Sequence, residues 1–318
     1  MPGNSVGGRF REMIETLTYK EVGTAVARSL STLNGATQVW GIIGHPIEHS
    51  LSPPMQNAAL AELGITGVYV PFAVEPTAIE SAIAGLWSVG VQGFNVTIPH
   101  KQAVMSQLTT VTEIGQAVGA VNTVWRTDQG WAGTNTDVTG FVAPLKERDR
   151  PWAKARVVIL GNGGAARAVV AGCATLGCRD IWVVGRSAAK LQQFVQSWQN
   201  SPLQPTLQTG LTPDLDALLP ETTLLVNTTP LGMHPEVNAT PVTATQLGQL
   251  PASAIAYDLI YTPSPTQFLQ LAAQRGLQTI DGVEMLVQQG AAALEIWTQQ
   301  TPPIAIMRQT LKAQLGQR

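Results

Sequence analysis

Apolar and polar positions recur in one order along most of the chain: a short apolar run, a Gly-rich turn, then an apolar stripe at helical spacing. The run "VWGIIG" at 39–44 predicts a strand. "SPPMQNAALAELG" at 52–64 predicts a helix with Ser52 as N-cap, Pro53 at its first position and Gly64 at its end. "GVYVPFAV" then reads as a strand, "PTAIESAIAGLWSVG" as a helix and "VQGFNVTIP" as a strand stopped by Pro99. "VNTVWRTDQGWAGTN" reads as a hairpin turning at Asp128, Gln129 and Gly130. After the charged connector "ERDRPWAKA" at 147–155 a second strand–helix series begins with "RVVILG". It ends in a pair of helices from about Val283 to Leu315. The Pro-, Gln- and Thr-rich stretch 201–213 reads as loop. This alternation predicts an α/β protein with parallel-rich sheets. The opening segment differs: "MPGNSVGGRF" has a disordered composition, and the residues after it can form a helix.

Composition narrows the picture. The chain has 318 residues, which favours two domains. Hydrophobic residues make up 44 %, but charged residues only 13 %, about half the usual share. The formal net charge of −2 implies no basic face, so nucleic acid is not expected as a partner. No apolar run reaches the roughly 18 residues of a membrane span, and no signal-peptide core is visible. Cys173 and Cys178 have no His or Cys beside them, so no metal site is expected. Read as reduced, buried thiols, they fit a soluble cytoplasmic protein.

The motif "VVILGNGGAARAV" has its strand before and its helix after. Gly161, Gly163 and Gly164 lie where backbone amides at a helix start attract a pyrophosphate. The next strand ends in Gly185, Arg186 and Ser187 with no acid for ribose hydroxyls. Arg186, with Ser187 and Lys190, suits a 2′-phosphate and so favours NADP over NAD. Asn227, Thr228 and Thr229 close the following strand, where such sheets bind ligands; they serve equally as turn formers. Three polar clusters precede this region. They are Ser50 with Ser52; Asn95, Thr97 and Lys101; and Asn122 with Thr134, Asn135, Thr136 and Asp137. Each alone reads as caps and turns, but together they suit a small polyhydroxylated ligand.

The pieces "GHPIEHSLSPPMQN", "GFNVTIPHK", "GAVNTV", "GTNTDVTGF", "LGNGGAARAV", "NTTPLGM", "YDLIYTPSPTQFL" and "DGVEMLVQQG" give the chain a specific likeness. It resembles the shikimate dehydrogenases, NADP-dependent enzymes that reduce 3-dehydroshikimate to shikimate in aromatic amino acid biosynthesis. The resemblance implies a parallel-rich α/β substrate domain, 39–136 plus 282–318, and an inserted Rossmann NADP-binding domain, 137–281, with a cleft between them. Residues 1–38 form an extension. It implies Lys101 and Asp137 as the catalytic pair, and Ser50, Ser52, Thr97, Asn122, Tyr261 and Gln289 at the substrate. Met233, Gly282 and Met285 would lie near the nicotinamide. Gln56, where the family commonly has His, and Gly185, where it commonly has Asn, are departures. Two alternatives stay open: a quinate/shikimate dehydrogenase of broader specificity, and a non-catalytic metabolite-binding regulator. The chain is expected to act as a monomer or homodimer without metal. His45, His49, His100 and His234 read as turn or surface residues.

Overall fold

The computed structural model describes residues 33–316, so the expectations for the opening segment lie outside the described residues except at its very end. Two six-stranded sheets organise the chain. The first is built from β1 (Gln38–Gly44), α1 (Ser52–Glu62), β2 (Gly67–Ala73), α2 (Ile79–Ser88), β3 (Gly93–Val96), β4 (Thr110–Val111), α3 (Glu113–Val118), β5 (Thr123–Thr127) and β6 (Gly130–Thr134). Its strand order is β2-β1-β3-β5-β6-β4. Strands β2, β1 and β3 run parallel, and the β5–β6 hairpin joins antiparallel, with Thr127 paired to Gly130 across Asp128 and Gln129.

Next come α4 (Asp137–Lys146), β7 (Arg156–Leu160), α5 (Gly164–Thr175), β8 (Asp180–Gly185), α6 (Ala188–Gln196) and β9 (Leu207–Leu211). They are followed by α7 (Leu215–Leu218), β10 (Leu224–Asn227), α8 (Ala244–Leu247), β11 (Ile255–Asp258), α9 (Gln267–Gln274) and β12 (Gln278–Ile280). This second sheet is wholly parallel in the order β12-β11-β10-β7-β8-β9. The order reverses at β7, as in the doubly wound Rossmann arrangement, which opens a crevice at the strands' carboxyl ends. Both faces are covered, so β7 and β10 are unbroken apolar runs: Val157, Val158, Ile159, Leu224, Leu225 and Val226 have no exposed surface.

The last two helices, α10 (Gly282–Thr298) and α11 (Ile304–Gln314), leave the second sheet and return to the first. Val283, Val287, Leu294, Met307 and Leu311 pack with Trp40, Ile42, Met55 and Tyr69 in one core. Helix α4 lies at the seam, touching both α10 and α5. Gly140 permits this: a Cβ there would sit 2.6 Å from the Met285 carbonyl oxygen.

The structure departs from the pattern reading in four places. The stretch read as loop at 201–213 contains β9, an edge strand paired to β8. Only Gly210 of it is buried, so it lacks the apolar run that marks a central strand. Strand β4, two residues long, is too short to leave a pattern. Leu51, not Ser52, holds the N-cap position of α1, and Ser52 is buried as the first helical residue. His100 is buried rather than at the surface, with Nε2 2.7 Å from the Val74 carbonyl oxygen. A carbonyl only accepts, so this nitrogen carries the proton.

Candidate active site

Strand β3 ends at Val96, and the chain turns through 97–102 before a short 3₁₀ segment, Ala103–Gln107. Lys101 sits in that turn, rather than at the start of a helix. The turn is held on three sides. His100 anchors to Val74, the Thr97 backbone N–H donates to Ile43, and the Lys101 carbonyl accepts from Val121 N–H at 2.8 Å. The Lys101 side chain is therefore delivered from a rigid backbone.

Asp137 is the first residue of α4, where the helix dipole favours an anion. Its two oxygens are used separately. Lys101 Nζ donates to Oδ2 at 2.6 Å, and Asn122 Nδ2 donates to Oδ1 at 2.8 Å. The Lys101 and Asp137 side chains are 32 % and 17 % exposed, so the pair is reachable but largely desolvated. Gln289, on α10, brings Oε1 to 3.5 Å from Asn122 Nδ2. Lys101, Asn122, Asp137 and Gln289 thus form one polar cluster from four separate segments.

Ser50 and Ser52 lie at the start of α1, with Ser52 N–H donating to Ser50 Oγ at 3.3 Å. Thr97 is half-buried after β3, and its hydroxyl makes no hydrogen bond among the described residues. Tyr261 follows β11 in sequence but packs against the core of the first sheet, so it joins the two halves. Burial raises its phenol pKa.

The second sheet offers the other half of the site. Gly161 takes φ +105°, a conformation that L side chains rarely adopt, and Thr228 Oγ1 would lie 2.8 Å from a Cβ there. Gly163 is the N-cap of α5, and no side chain caps that helix start. A Cβ at Gly163 or Gly164 would meet nothing within 4 Å, and Ala165 is exposed beside them. Free amides facing open space make an anion cradle. Arg186 and Lys190 are exposed and form no ion pair among the described residues. Ser187 caps α6, accepting from the Lys190 backbone N–H at 3.4 Å. Met233 is 49 % exposed, and Met285 is partly buried at the seam.

Two expected cofactor residues, Asn227 and Gly282, are buried. Asn227 is fully buried: Nδ2 donates to Asp258 Oδ1 at 3.0 Å, and Oδ1 accepts from the Thr229 hydroxyl at 2.7 Å. Its amide shapes the turn after β10, because a buried polar group must find partners inside. Gly282 is also buried. Its N–H donates to the Ile260 carbonyl at 3.2 Å, and a Cβ would collide with the backbone of Leu259 and Ile260. It lets α10 start against the second sheet.

Asp258 shares the Asn227 network and has no exposed surface. Burial raises its pKa from 3.8 to about 6, although hydrogen bonds from Thr266, Ile260 and Asn227 oppose the rise. The folded value lies above the unfolded one, so stability is lost as pH rises from about 4 to about 6. The full difference corresponds to roughly 3 kcal/mol. Asp258→Asn removes this titration. The stability of the variant relative to wild type is expected to improve by about 2 kcal/mol between about pH 4.5 and about pH 7.5. Chemical denaturation at both pH values checks this; an unchanged difference contradicts it.

Tyr69, Asn95, Thr123 and Thr136 also converge on this site through Asn122, and no role followed for them from sequence. Asn95 and Thr136 stood in the polar clusters, whereas the Tyr69 hydroxyl left no trace in an apolar strand.

The chain is similar to known proteins along most of its length. The family model for the shikimate dehydrogenase substrate binding domain matches residues 42–124, and that for the shikimate 5'-dehydrogenase C-terminal domain matches residues 282–312. The shikimate dehydrogenase (NADP(+)) of Gloeothece citriformis is 56 % identical over 284 residues, covering 89 % of this chain and 99 % of that protein. The shikimate 5-dehydrogenase of Listeria monocytogenes, solved with shikimate and NAD, superposes with a TM-score of 0.82 at 32 % identity, covering 88 % of this chain and 98 % of that one. The Thermus thermophilus enzyme, solved with NADP(H) and shikimate, gives 0.77 at 31 % identity, covering 87 % and 99 %. With more than half its residues shared along almost the full length of such a relative, the chain belongs to the shikimate dehydrogenase family.

Proposed function

We infer that the protein catalyses the reversible, NADP-dependent oxidation of shikimate to 3-dehydroshikimate, a step of aromatic amino acid and chorismate biosynthesis. The observation that carries the reading is the Lys101–Asp137 contact of 2.6 Å, braced by Asn122 and partly exposed. Residues 39–136 with 282–318 form the substrate-binding part, and 137–281 the cofactor-binding part.

The residues of the second sheet fit a dinucleotide. The uncapped start of α5 and the open space over Gly163 and Gly164 suit a pyrophosphate, and the exposed Arg186 guanidinium, unpaired among the described residues, suits a 2′-phosphate with Lys190. NADP, when bound, supplies the hydride acceptor for oxidation and, reduced, the donor for the reverse reaction. The chain's own residues bind the substrate and move the proton. Ser50, Ser52 and Thr97 receive polar groups of the ligand, including its carboxylate. Asn122, Gln289 and Tyr261 orient its hydroxyls. The reacting hydroxyl gives up its proton to the Lys101–Asp137 pair during oxidation. In reduction the Lys101 ammonium stabilises charge on the carbonyl oxygen and returns the proton. Asp137 holds the ammonium in register.

Arg186→Ala tests the cofactor half. It is expected to raise KM for NADP about tenfold to a hundredfold, the loss of a charge-assisted hydrogen bond, with KM for NAD little changed. Initial rates with both cofactors measure it, and an equal effect on NAD would remove Arg186 from the 2′-phosphate. The same reading makes the protein a cytoplasmic monomer or homodimer without nucleic acid or membrane partners. Among the described residues no helix is long and apolar enough to cross a membrane.

A further inference from the structure

A chain of buried side chains runs from β2 to the Lys101–Asp137 pair. Asn95 Nδ2 lies 3.0 Å from the Asn122 backbone carbonyl, which only accepts, so this end of the Asn95 amide is the nitrogen. Asn95 Oδ1 therefore faces Tyr69, and the Tyr69 hydroxyl donates to it at 2.7 Å. Beyond Asn95, Nδ2 also reaches Thr123 Oγ1 at 3.1 Å. Thr123 Oγ1 lies 2.9 Å from Thr136 Oγ1 and 3.1 Å from Asn122 Oδ1. Asn122 Oδ1 also accepts from the Thr136 backbone N–H at 2.7 Å, which leaves its Nδ2 toward Asp137. Tyr69, Asn95, Thr123 and Thr136 are all buried, so water cannot stand in for a missing member.

We propose that Tyr69 and Asn95 are positioning residues for this reaction. Reaching across β1 from β2 and β3, they clamp both the backbone and, through Thr123, the side chain of Asn122, and so hold its amide against Asp137. This rests on the functional reading above. Their hydrogen bonds lead to Asn122, and they act through it.

A double-mutant cycle tests the proposal with shikimate and NADP. Tyr69→Phe removes one oxygen and keeps the ring in the core. It is expected to lower kcat/KM for shikimate about tenfold with KM for NADP unchanged. In an Asn122→Ala background the same change is expected to cost less than about twofold, because the group it positions is gone. NADP affinity, sited in the other half of the molecule, reports that each variant is folded. Multiplicative effects, or a Tyr69→Phe enzyme with full kcat/KM and only a lowered Tm, would overturn the positioning role and leave the functional reading intact. A wild type inert toward shikimate would remove both, and is seen before any variant is made.

Discussion

Lys101→Ala is expected to lower kcat for shikimate oxidation by about 10²- to 10⁴-fold, the usual contribution of a positioned acid–base group. The substitution removes the ammonium and leaves its surroundings standing. The turn that carries residue 101 is held by backbone bonds to Ile43 and Val121 and by the His100 ring, none of which involve the Lys101 side chain. Asp137 keeps its second partner, Asn122. KM for NADP is therefore expected to stay within about twofold, since its proposed site is on the other sheet. Initial rates and shikimate binding by calorimetry measure the two halves separately. A variant retaining rates near wild type would remove Lys101 from the proton path.

Asp137→Asn is expected to lower kcat roughly 10²- to 10³-fold. The shape is kept, but the carboxylate's two acceptors are not. Oδ2 takes the Lys101 ammonium and Oδ1 takes the Asn122 amide, so both neighbours are donors. An amide in that place sets its own NH₂ against one of them, and the charge that holds the ammonium is lost. If the two residues work as a pair, Lys101→Ala added to Asp137→Asn costs less than about tenfold more. Full multiplication of the two effects would show that they act independently.

Most of the fold was legible because strand and helix periods alternate cleanly and the apolar runs of β7, β8 and β10 mark a buried parallel sheet. Edges were not legible. Strand β9 carries Gln, Thr and Gly because one side of it faces solvent. The proposed catalytic pair, Lys101 and Asp137, could be named because both residues sit in distinctive motifs. Their spacing could not be read, since they lie 36 positions apart and a third element, α10, packs on the helix that carries Asp137. At Asn227 and Gly282 the sequence did not show the local partners: a strand-end amide bonded to Asp258, and a helix-start glycine packed on Leu259 and Ile260. The Tyr69 hydroxyl is the opposite case, since an aromatic residue in an apolar strand reads as core until its partner at Asn95 is seen.

The most direct test of the whole account is the rate of NADP reduction by the purified protein, followed by the absorbance of the reduced nicotinamide, with shikimate as substrate and with quinate and NAD as comparators. The account predicts rapid turnover with shikimate and NADP, and a kcat/KM at least about tenfold lower when either is replaced. Equal rates with quinate or NAD would contradict the assigned specificity, and binding of shikimate without turnover would contradict the enzyme itself.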